Sequence, residues 1–149
     1  MKITTFGTLK GGVGKTMLCF NIGGILAQIG YKVLIVDNDL QGNLTNNIGI
    51  DRTLKEMYTM YDIYNTDQPQ PHPEEIVYQR PNARVPNLDL IPSSIFMHRA
   101  ELKLSNVTGR EVILKNYIED HRDFFSQYQH ILIDTNPSMS IVNQNAFFA

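Results

Sequence analysis

The stretch Lys10-Gly11-Gly12-Val13-Gly14-Lys15-Thr16 decides the fold. It lies between residues 2–8, a predicted strand rich in β-branched side chains, and a helix predicted from about residue 15 to Gly30. Backbone N–H groups of such a turn point at a bound anion, and glycine lets the backbone approach phosphate oxygens closely. The stretch therefore predicts a phosphate-binding loop in which Lys15 reaches the β- and γ-phosphates and Thr16 binds magnesium.

The rest of the chain alternates between strand and helix patterns. Short apolar runs predict further strands at residues 32–36, 88–91 and 131–133. Helical spacing predicts helices over residues 95–104, 109–125 and 141–149, with a weaker helical stretch at 54–64. Such alternation is typical of an α/β domain with a parallel sheet and helices on both faces.

Several local features refine this prediction. Thr108 and Glu111 predict a capping box for the helix at 109–125, whose apolar face is formed by Leu114, Tyr117, Ile118 and Phe125. Residues 37–45 and the proline-rich residues 68–73 are interpreted as loops. In the first helix, apolar residues recur at helical spacing, namely Leu18, Ile22, Ile25, Leu26 and Ile29. Gly23 and Gly24 in the same helix indicate close packing against the sheet.

Acidic residues follow two of the predicted strands. Asp37 and Asp39 come after the second strand, and Asp134 ends the fourth. Ligands of an open parallel sheet bind beyond the carboxyl ends of its strands, so these carboxylates are expected near the bound phosphates. Taken alone, residues 37–43 are more typical of a polar turn between a strand and a helix. Together with the phosphate loop, they predict groups that serve a magnesium ion and an attacking water.

The phosphate loop departs from the ordinary pattern in an informative way. The pattern G-x-x-x-x-G-K-[ST] requires glycine at position 9, where this chain has leucine, and Lys10 follows it. The loop resembles the deviant form found in the group of ParA, MinD and the nitrogenase iron protein. The resemblance implies a P-loop NTPase fold in which Lys10 contacts phosphate across a nucleotide-sandwich dimer. It assigns the nucleotide-binding residues as Lys10, Gly11, Gly12, Val13, Gly14, Lys15, Thr16 and Met17.

Two further segments resemble the same group. Residues 37–43, Asp-Asn-Asp-Leu-Gln-Gly-Asn, are similar to a switch I usually written D-x-D-P-Q-G-N, with leucine replacing the proline. By that resemblance Asp39 positions or activates water, while Asp37 and Thr16 serve the metal together with Asp134 of a Walker B segment. Residues 134–138, Asp-Thr-Asn-Pro-Ser, resemble the switch II pattern D-x-P-P-S, with Asn136 as a departure.

The Gln41-Gly42-Asn43 sequence favours the ParA/Soj branch of this group. The resemblance implies an ATPase that uses ATP and Mg²⁺, forms an ATP-dependent homodimer and acts in plasmid or chromosome partition. A ParB-like protein and non-specific DNA are the implied partners, and no membrane contact is expected. A lone Cys19 cannot supply the shared cluster of an iron protein, and no N-K-x-D motif for reading a guanine base is present.

Composition sets limits on function. The chain has 149 residues, of which 42% are apolar and 19% charged, and its net charge is −2. This is ordinary globular composition without an overall basic surface for nucleic acid. Its single cysteine excludes an intramolecular disulfide and fits the cytoplasm. No apolar run approaches the roughly 20 residues needed to span a bilayer.

Relatives with these motifs are longer, so residues 1–149 are expected to be the N-terminal part of one ATPase domain. Its P-loop strand is then expected at an uncovered edge of the sheet. Two alternatives remain open at this point. One is a truncated module that binds nucleotide and dimerises without catalysis, and the other is a MinD-like ATPase that positions cargo at membranes.

Overall fold

The computed structural model describes residues 1–52, 56–79, 81 and 84–149. Its centre is a four-stranded parallel sheet with the order β1-β4-β2-β3. The strands are β1 (Lys2–Phe6), β2 (Val33–Asp37), β3 (Leu88–Ile91) and β4 (His130–Asp134). All four strand predictions are confirmed within one or two residues, because apolar runs bounded by turn residues are typical of buried parallel strands.

The helices connect and cover these strands. They are α1 (Lys15–Gln28), α2 (Asn43–Ile48), α3 (Met60–Tyr64), α4 (Pro73–Ile76), α5 (Met97–Leu104), α6 (Ile113–Asp120), α7 (Arg122–Phe125) and α8 (Ile141–Phe148). A 3₁₀ turn, Arg110–Val112, precedes α6. No helix in the described parts of the chain is both long enough and apolar enough to cross a bilayer.

The sheet carries a core on each face. Alternate residues of β2 belong to two hydrophobic clusters on opposite faces, with Leu34 and Val36 in the first and Val33 and Ile35 in the second. The first cluster joins α3, α5, α6 and α8, whereas the second joins α1 and α2. Helices therefore lie on both faces of the sheet, as the sequence predicts.

Register brings the strand ends together. Phe6 of β1 and Asp37 of β2 are both paired with Asp134 of β4, which lies between them. The loops that follow these three strands consequently leave the sheet at one level. This edge is where ligands of open parallel sheets bind.

Helix α1 packs on the sheet through small residues. Its buried positions are Cys19, Gly23 and Ala27, which recur every four residues. The apolar residues that the sequence singles out lie elsewhere, since Leu18 is 53%, Ile25 58% and Ile29 67% exposed. Only Leu26 of that set packs against the core cluster. Small residues face the sheet because they let the helix backbone approach it closely.

Strand β1 lies at an edge of the sheet. Its strand partner is β4, and the other side of β1 adjoins no strand of the described chain. This confirms the expectation that the P-loop strand occupies an uncovered edge. Sheet edges of this kind expose N–H and C=O groups that can pair with further chain.

Several local predictions were wrong. The helix predicted over residues 109–125 is broken, because Gly109 takes a left-handed φ of 72° before a 3₁₀ turn and His121 leaves helical geometry between α6 and α7. Glycine accommodates that φ readily, and Thr108 therefore does not cap the helix. The four residues of its predicted apolar face, listed above, are nevertheless all buried.

Two predicted loops contain helices. Helix α2 begins at Asn43, inside the predicted loop 37–45. Helix α4 begins at Pro73, where Glu75 accepts a hydrogen bond from the backbone N–H of His72 at 2.8 Å. Of the weak helix at 54–64, only Met60–Tyr64 is helical, and residues 54 and 55 lie outside the described residues. Short capped helices lack the long apolar period that sequence reading depends on.

Two adjacent glycines of α1 provide a test of this packing. A Cβ on Gly23 would lie 2.7 Å from Ile35 Cδ1, whereas one on Gly24 would meet nothing within 4 Å. Gly24→Ala is therefore expected to stabilise the protein by about 1 kcal/mol through helix propensity. Gly23→Ala is expected to be less stable than Gly24→Ala by about 1–3 kcal/mol, because it overpacks the core. Urea unfolding of both variants measures the difference, and equal stabilities would contradict this packing.

Candidate functional site

The phosphate loop connects β1 to α1 by a tight turn. Gly12 and Gly14 have φ values of 69° and 86°, the left-handed region that glycine tolerates best. Lys15 is the first residue of α1, and the Leu18 N–H already donates to the Gly14 carbonyl at 2.9 Å. The free N–H groups of this first turn and the positive end of the helix dipole favour an anion here.

A cavity of about 390 Å³ lies beside this loop. Its lining comes from the phosphate loop, the loop after β2 and the loop after β4. The lining residues are Gly12, Val13, Gly14, Lys15, Thr16, Met17, Asp39, Gln41, Asn43 and Pro137. The three segments that the sequence singled out thus meet at one cavity. Lys10 is exposed and does not belong to this lining.

Asp37 ends β2, is fully buried and does not line the cavity. Its Oδ2 accepts hydrogen bonds from the Thr45 N–H at 2.8 Å and the Thr45 hydroxyl at 2.6 Å. Its Oδ1 accepts one from the Asp39 N–H at 3.2 Å. Burial raises the pKa of the Asp37 carboxyl to about 7, although the bonds from Thr45 oppose this. Both oxygens are therefore already used to hold the loop after β2.

Asp39 reaches the cavity itself. The residue is 5% exposed, and its Oδ1 accepts the Gln41 N–H at 2.8 Å. Its backbone carbonyl accepts a hydrogen bond from the Ser93 hydroxyl at 2.6 Å, which anchors Asp39 to the loop after β3. An anchored carboxylate at the wall of a phosphate cavity is suited to holding a water molecule.

Sequence reasoning missed two supporting residues, Thr45 and Ser93. The Ser93 N–H donates to the Thr45 hydroxyl at 2.9 Å, and Thr45 in turn donates to Asp37. These bonds connect the loop after β3 to the loop after β2. The sequence could have identified Ser93 as a site residue, because it follows the end of a predicted strand and so lies at the same edge of the sheet as the acidic residues.

Asp134 ends β4 and is fully buried. Neither carboxylate oxygen has a hydrogen-bond partner among the described residues. Burial raises the pKa of its carboxyl to about 6, the Thr16 hydroxyl opposes this, the Asp39 charge raises the pKa further, and the Lys15 ammonium lowers it. A buried carboxylate that accepts no hydrogen bond is costly, so this position favours a further cation close by.

The residues around Asp134 fit a magnesium ion. No cluster of three or more His, Cys, Asp or Glu side chains suited to a metal occurs in the described parts of the chain. Mg²⁺ does not require one, because it keeps several waters and binds through one or two protein oxygens plus substrate phosphates. Thr16 and Asp134 would supply those oxygens, with Asp37 placed behind them as a support.

The unpaired Asp134 carboxylate predicts an unusual pH dependence. Its pKa is higher in the folded protein, about 6, than the ordinary value of 3.8, so folding favours its protonated form. That contribution to stability is present below pH 4 and is lost as the pH rises through about 6. Asp134→Asn is expected to stabilise the nucleotide-free protein at pH 8 by on the order of 1–3 kcal/mol.

Unfolding of wild type and Asp134→Asn between pH 4 and 8 measures this effect. The difference between the two should grow with pH and level off above about pH 7. Asp123→Asn, which changes an exposed carboxylate in α7, is the matched control and should show no such growth. A constant difference for Asp134→Asn across the range would contradict the assignment of an unpaired carboxylate.

Comparison with known proteins agrees with this geometry. A family model described as AAA domain matches residues 1–149. The sporulation initiation inhibitor protein Soj of Bacillus subtilis is 38% identical over 148 residues, covering 99% of this chain. The chromosome partitioning protein ParA of Caulobacter vibrioides is 32% identical over 149 residues, covering all of it. The chain belongs to this AAA-domain family and is a P-loop NTPase of the ParA/MinD type.

Solved structures resemble this ParA-type chain closely. Cobyrinic acid a,c-diamide synthase from Mycobacterium smegmatis, with bound ATP analogue and magnesium, has a TM-score of 0.84 and 27% identity over 98% of this chain. A plasmid partition protein from Borrelia burgdorferi, bound to AMPPNP, has a TM-score of 0.77 and 28% identity over 98%. This chain covers 55% and 58% of those two chains. It likewise spans about half of the curated relatives, 54% of Soj and 53% of ParA.

Proposed function

We propose that residues 1–149 form the N-terminal, nucleotide-binding part of an ATPase that acts in plasmid or chromosome partition. The observation that carries the proposal is the single cavity lined by the phosphate loop, Asp39 and Pro137, with the unpartnered Asp134 carboxylate at the adjoining strand end. Relatives named for chromosome partitioning, and a similar plasmid partition protein bound to AMPPNP, support it.

Each residue of the site has a proposed role. Backbone N–H groups of residues 11–17 cradle the triphosphate, and Lys15 neutralises its β- and γ-phosphates. Thr16 and Asp134 hold Mg²⁺, which neutralises phosphate charge when it is bound. Asp39 orients and activates the attacking water from its anchored position. Asp37 keeps the loop that carries Asp39 in place.

Lys10 is proposed to act across a dimer. Its side chain is exposed and lies outside the lining of its own cavity, although it adjoins the loop that forms that cavity. A cation so placed is free to reach the phosphates bound by a second copy. ATP would then join two copies, and hydrolysis would release them.

DNA and a ParB-like protein are the proposed partners of the whole protein in the cytoplasm. The net charge of this chain, −2, supplies no broad basic surface, so we assign non-specific DNA binding to sequence beyond residues 1–149. The partner protein is proposed to stimulate hydrolysis and so set the lifetime of the DNA-bound dimer.

One structural feature favours a second candidate function. Leu18, Ile25 and Ile29 leave an apolar face of α1 exposed, and β1 lies at the sheet edge. A chain with such open surfaces would suit a module that binds nucleotide and associates with other copies without turning ATP over. The two functions differ in whether this chain hydrolyses ATP by itself.

Phosphate release and size-exclusion chromatography, each with ATP, with ADP and without nucleotide, test both functions. The chain 1–149 is compared with one that carries its natural downstream sequence. The ATPase function predicts that both chains hydrolyse ATP and that the longer chain elutes as a dimer only with ATP. Activity in the longer chain alone would assign the non-catalytic function to residues 1–149. Absence of both ATP hydrolysis and ATP-dependent dimerisation in the two chains would refute the proposed function.

A further inference from the structure

The first turn of α8 carries a fully buried polar residue, Asn143. Ser140 begins this helix and accepts the Asn143 backbone N–H at 3.4 Å. This leaves the Asn143 side-chain amide free to bond outside its own helix. It is turned toward the loop after β4, which supplies Pro137 to the phosphate cavity.

The amide of Asn143 holds that loop on both sides of Pro137. Its Nδ2 donates to the Asn136 carbonyl at 2.8 Å and to the Ser138 carbonyl at 2.7 Å. A weaker contact of 3.3 Å reaches the Ser138 hydroxyl, which itself donates to Asn136 Oδ1 at 2.9 Å. One buried amide thereby fixes the path of three consecutive residues.

Pro137 is the part of this turn that meets the nucleotide site. It is exposed, lines the phosphate cavity, and its Cγ would lie 3.7 Å from a Cβ on Gly11. The ring therefore lies close to the phosphate loop, and the turn that carries it also contains a hydrogen bond from the Ser138 N–H to the Asn136 carbonyl at 3.0 Å. Its position depends on the carbonyls at either side, which are the two that Asn143 holds.

We propose that Asn143 is a positioning residue that holds Pro137 against the phosphate loop, so that the cavity distinguishes ATP from ADP. This inference rests on the proposed nucleotide-binding function. Asn136 stands where the family pattern has proline, so the turn lacks that ring as a restraint. Hydrogen bonds from Asn143 restrain it instead.

Two observations separate this role from ordinary packing. Asn143 Oδ1 is buried and has no hydrogen-bond partner among the described residues, so the bonds that the side-chain amide makes all go to the two residues that flank Pro137. The same helical turn also touches the other loop of the site, since Asn38 Nδ2 donates to the Val142 carbonyl at 2.9 Å. The start of α8 thus joins the two loops that carry Asp39 and Pro137.

The chain offers a matched control two residues away. Asn145 is also fully buried on α8, but its amide donates to the Arg110 and Ile141 carbonyls at 2.6 and 2.9 Å, and its Oδ1 accepts the Leu114 N–H at 3.1 Å. The bonds to Arg110 and Leu114 connect α8 to the 3₁₀ turn before α6 and to the first turn of α6, and none of the three involves the Pro137 turn. Loss of either asparagine should lower stability, but only one should affect the cavity.

The experiment compares Asn143→Ala with Asn145→Ala. Titration with a fluorescent non-hydrolysable ATP analogue and with the matching ADP analogue gives two dissociation constants for each variant. Asn143→Ala is expected to weaken binding of the ATP analogue about tenfold and that of the ADP analogue less than about twofold. Asn145→Ala should lower the unfolding midpoint while leaving the ratio of the two constants unchanged. Asn143→Thr, of similar volume, provides the same comparison if the alanine variant unfolds.

A second readout needs no nucleotide. Amide hydrogen exchange at residues 138–140 should be faster in the Asn143 variants than in wild type and in Asn145→Ala, because the turn loses its restraint. Equal exchange rates and equal ratios of dissociation constants in the two alanine variants would overturn the inference. If wild type binds neither analogue, the proposed function fails, and exchange alone then decides whether Asn143 holds the turn.

Discussion

Lys15→Ala is expected to abolish ATP binding, with a loss of at least about 100-fold in affinity. Lys15 lines the cavity at the first residue of α1, where the helix dipole already favours an anion. Its ammonium is the strongest positive charge directed at that cavity, because Lys10 lies outside the lining. Without it, the terminal phosphates would face the Asp39 and Asp134 carboxylates with no compensating cationic side chain in the lining of their own cavity.

Titration with a fluorescent ATP analogue measures this loss. Lys115→Ala serves as the control, because it removes the same charge from the chain. Lys115 lies on α6 and does not line the phosphate cavity. The control should bind as wild type does. If Lys15→Ala bound the analogue within about threefold of the control, the phosphate loop would not be the nucleotide site and the proposed function would fail.

The sheet and the position of the phosphate loop could be predicted from sequence. Both depend on short-range signals: apolar runs of strand length, and a glycine-rich turn between a strand and a helix. Parallel strands place their carboxyl ends at one edge, so the meeting of Asp37 and Asp134 follows once the strands are known. Local pattern and global fold agree here, which is why the prediction was right.

The burial of α1 could not be predicted in this way. Its largest apolar residues occur at helical spacing, which ordinarily marks the face toward the core. In the structure Cys19, Gly23 and Ala27 form that face instead. Close approach to the sheet, rather than side-chain hydrophobicity, decides the orientation of this helix, and a Cβ on Gly23 would already contact Ile35.

The environments of Asp37, Asp39 and Asp134 could likewise not be predicted from the sequence. All three lie at or just after the end of a strand, but their hydrogen bonds differ. Both carboxylate oxygens of Asp37 accept hydrogen bonds from Thr45 or Asp39, whereas those of Asp134 accept none among the described residues. Two of the three hydrogen bonds to Asp37 come from Thr45, which lies on a helix that the sequence did not predict. These different surroundings fit the separate roles proposed above, namely support of a loop for Asp37, contact with water for Asp39 and contact with a cation for Asp134.

These separate tasks lead to the second large effect, at Asp39. Asp39→Ala is expected to keep ATP binding while losing turnover by about 100-fold or more, because it removes the group proposed to activate water. The carboxylate contributes no attraction to phosphate, so its removal leaves affinity intact or raises it. Phosphate release under saturating ATP, in the chain that carries its natural downstream sequence, measures the loss.

A second substitution separates chemistry from loop structure. Asp39 Oδ1 accepts the Gln41 N–H at 2.8 Å, so alanine also removes a bond that shapes the loop. Asp39→Asn keeps that acceptor and the side-chain volume but lacks the negative charge needed to take up a proton. Both variants should lose turnover if the charge is what matters, whereas loss in Asp39→Ala alone would assign Asp39 to holding the loop. The analogue titration used for Lys15 checks that each variant still binds nucleotide. Normal turnover in both variants would place water activation at another residue of the cavity.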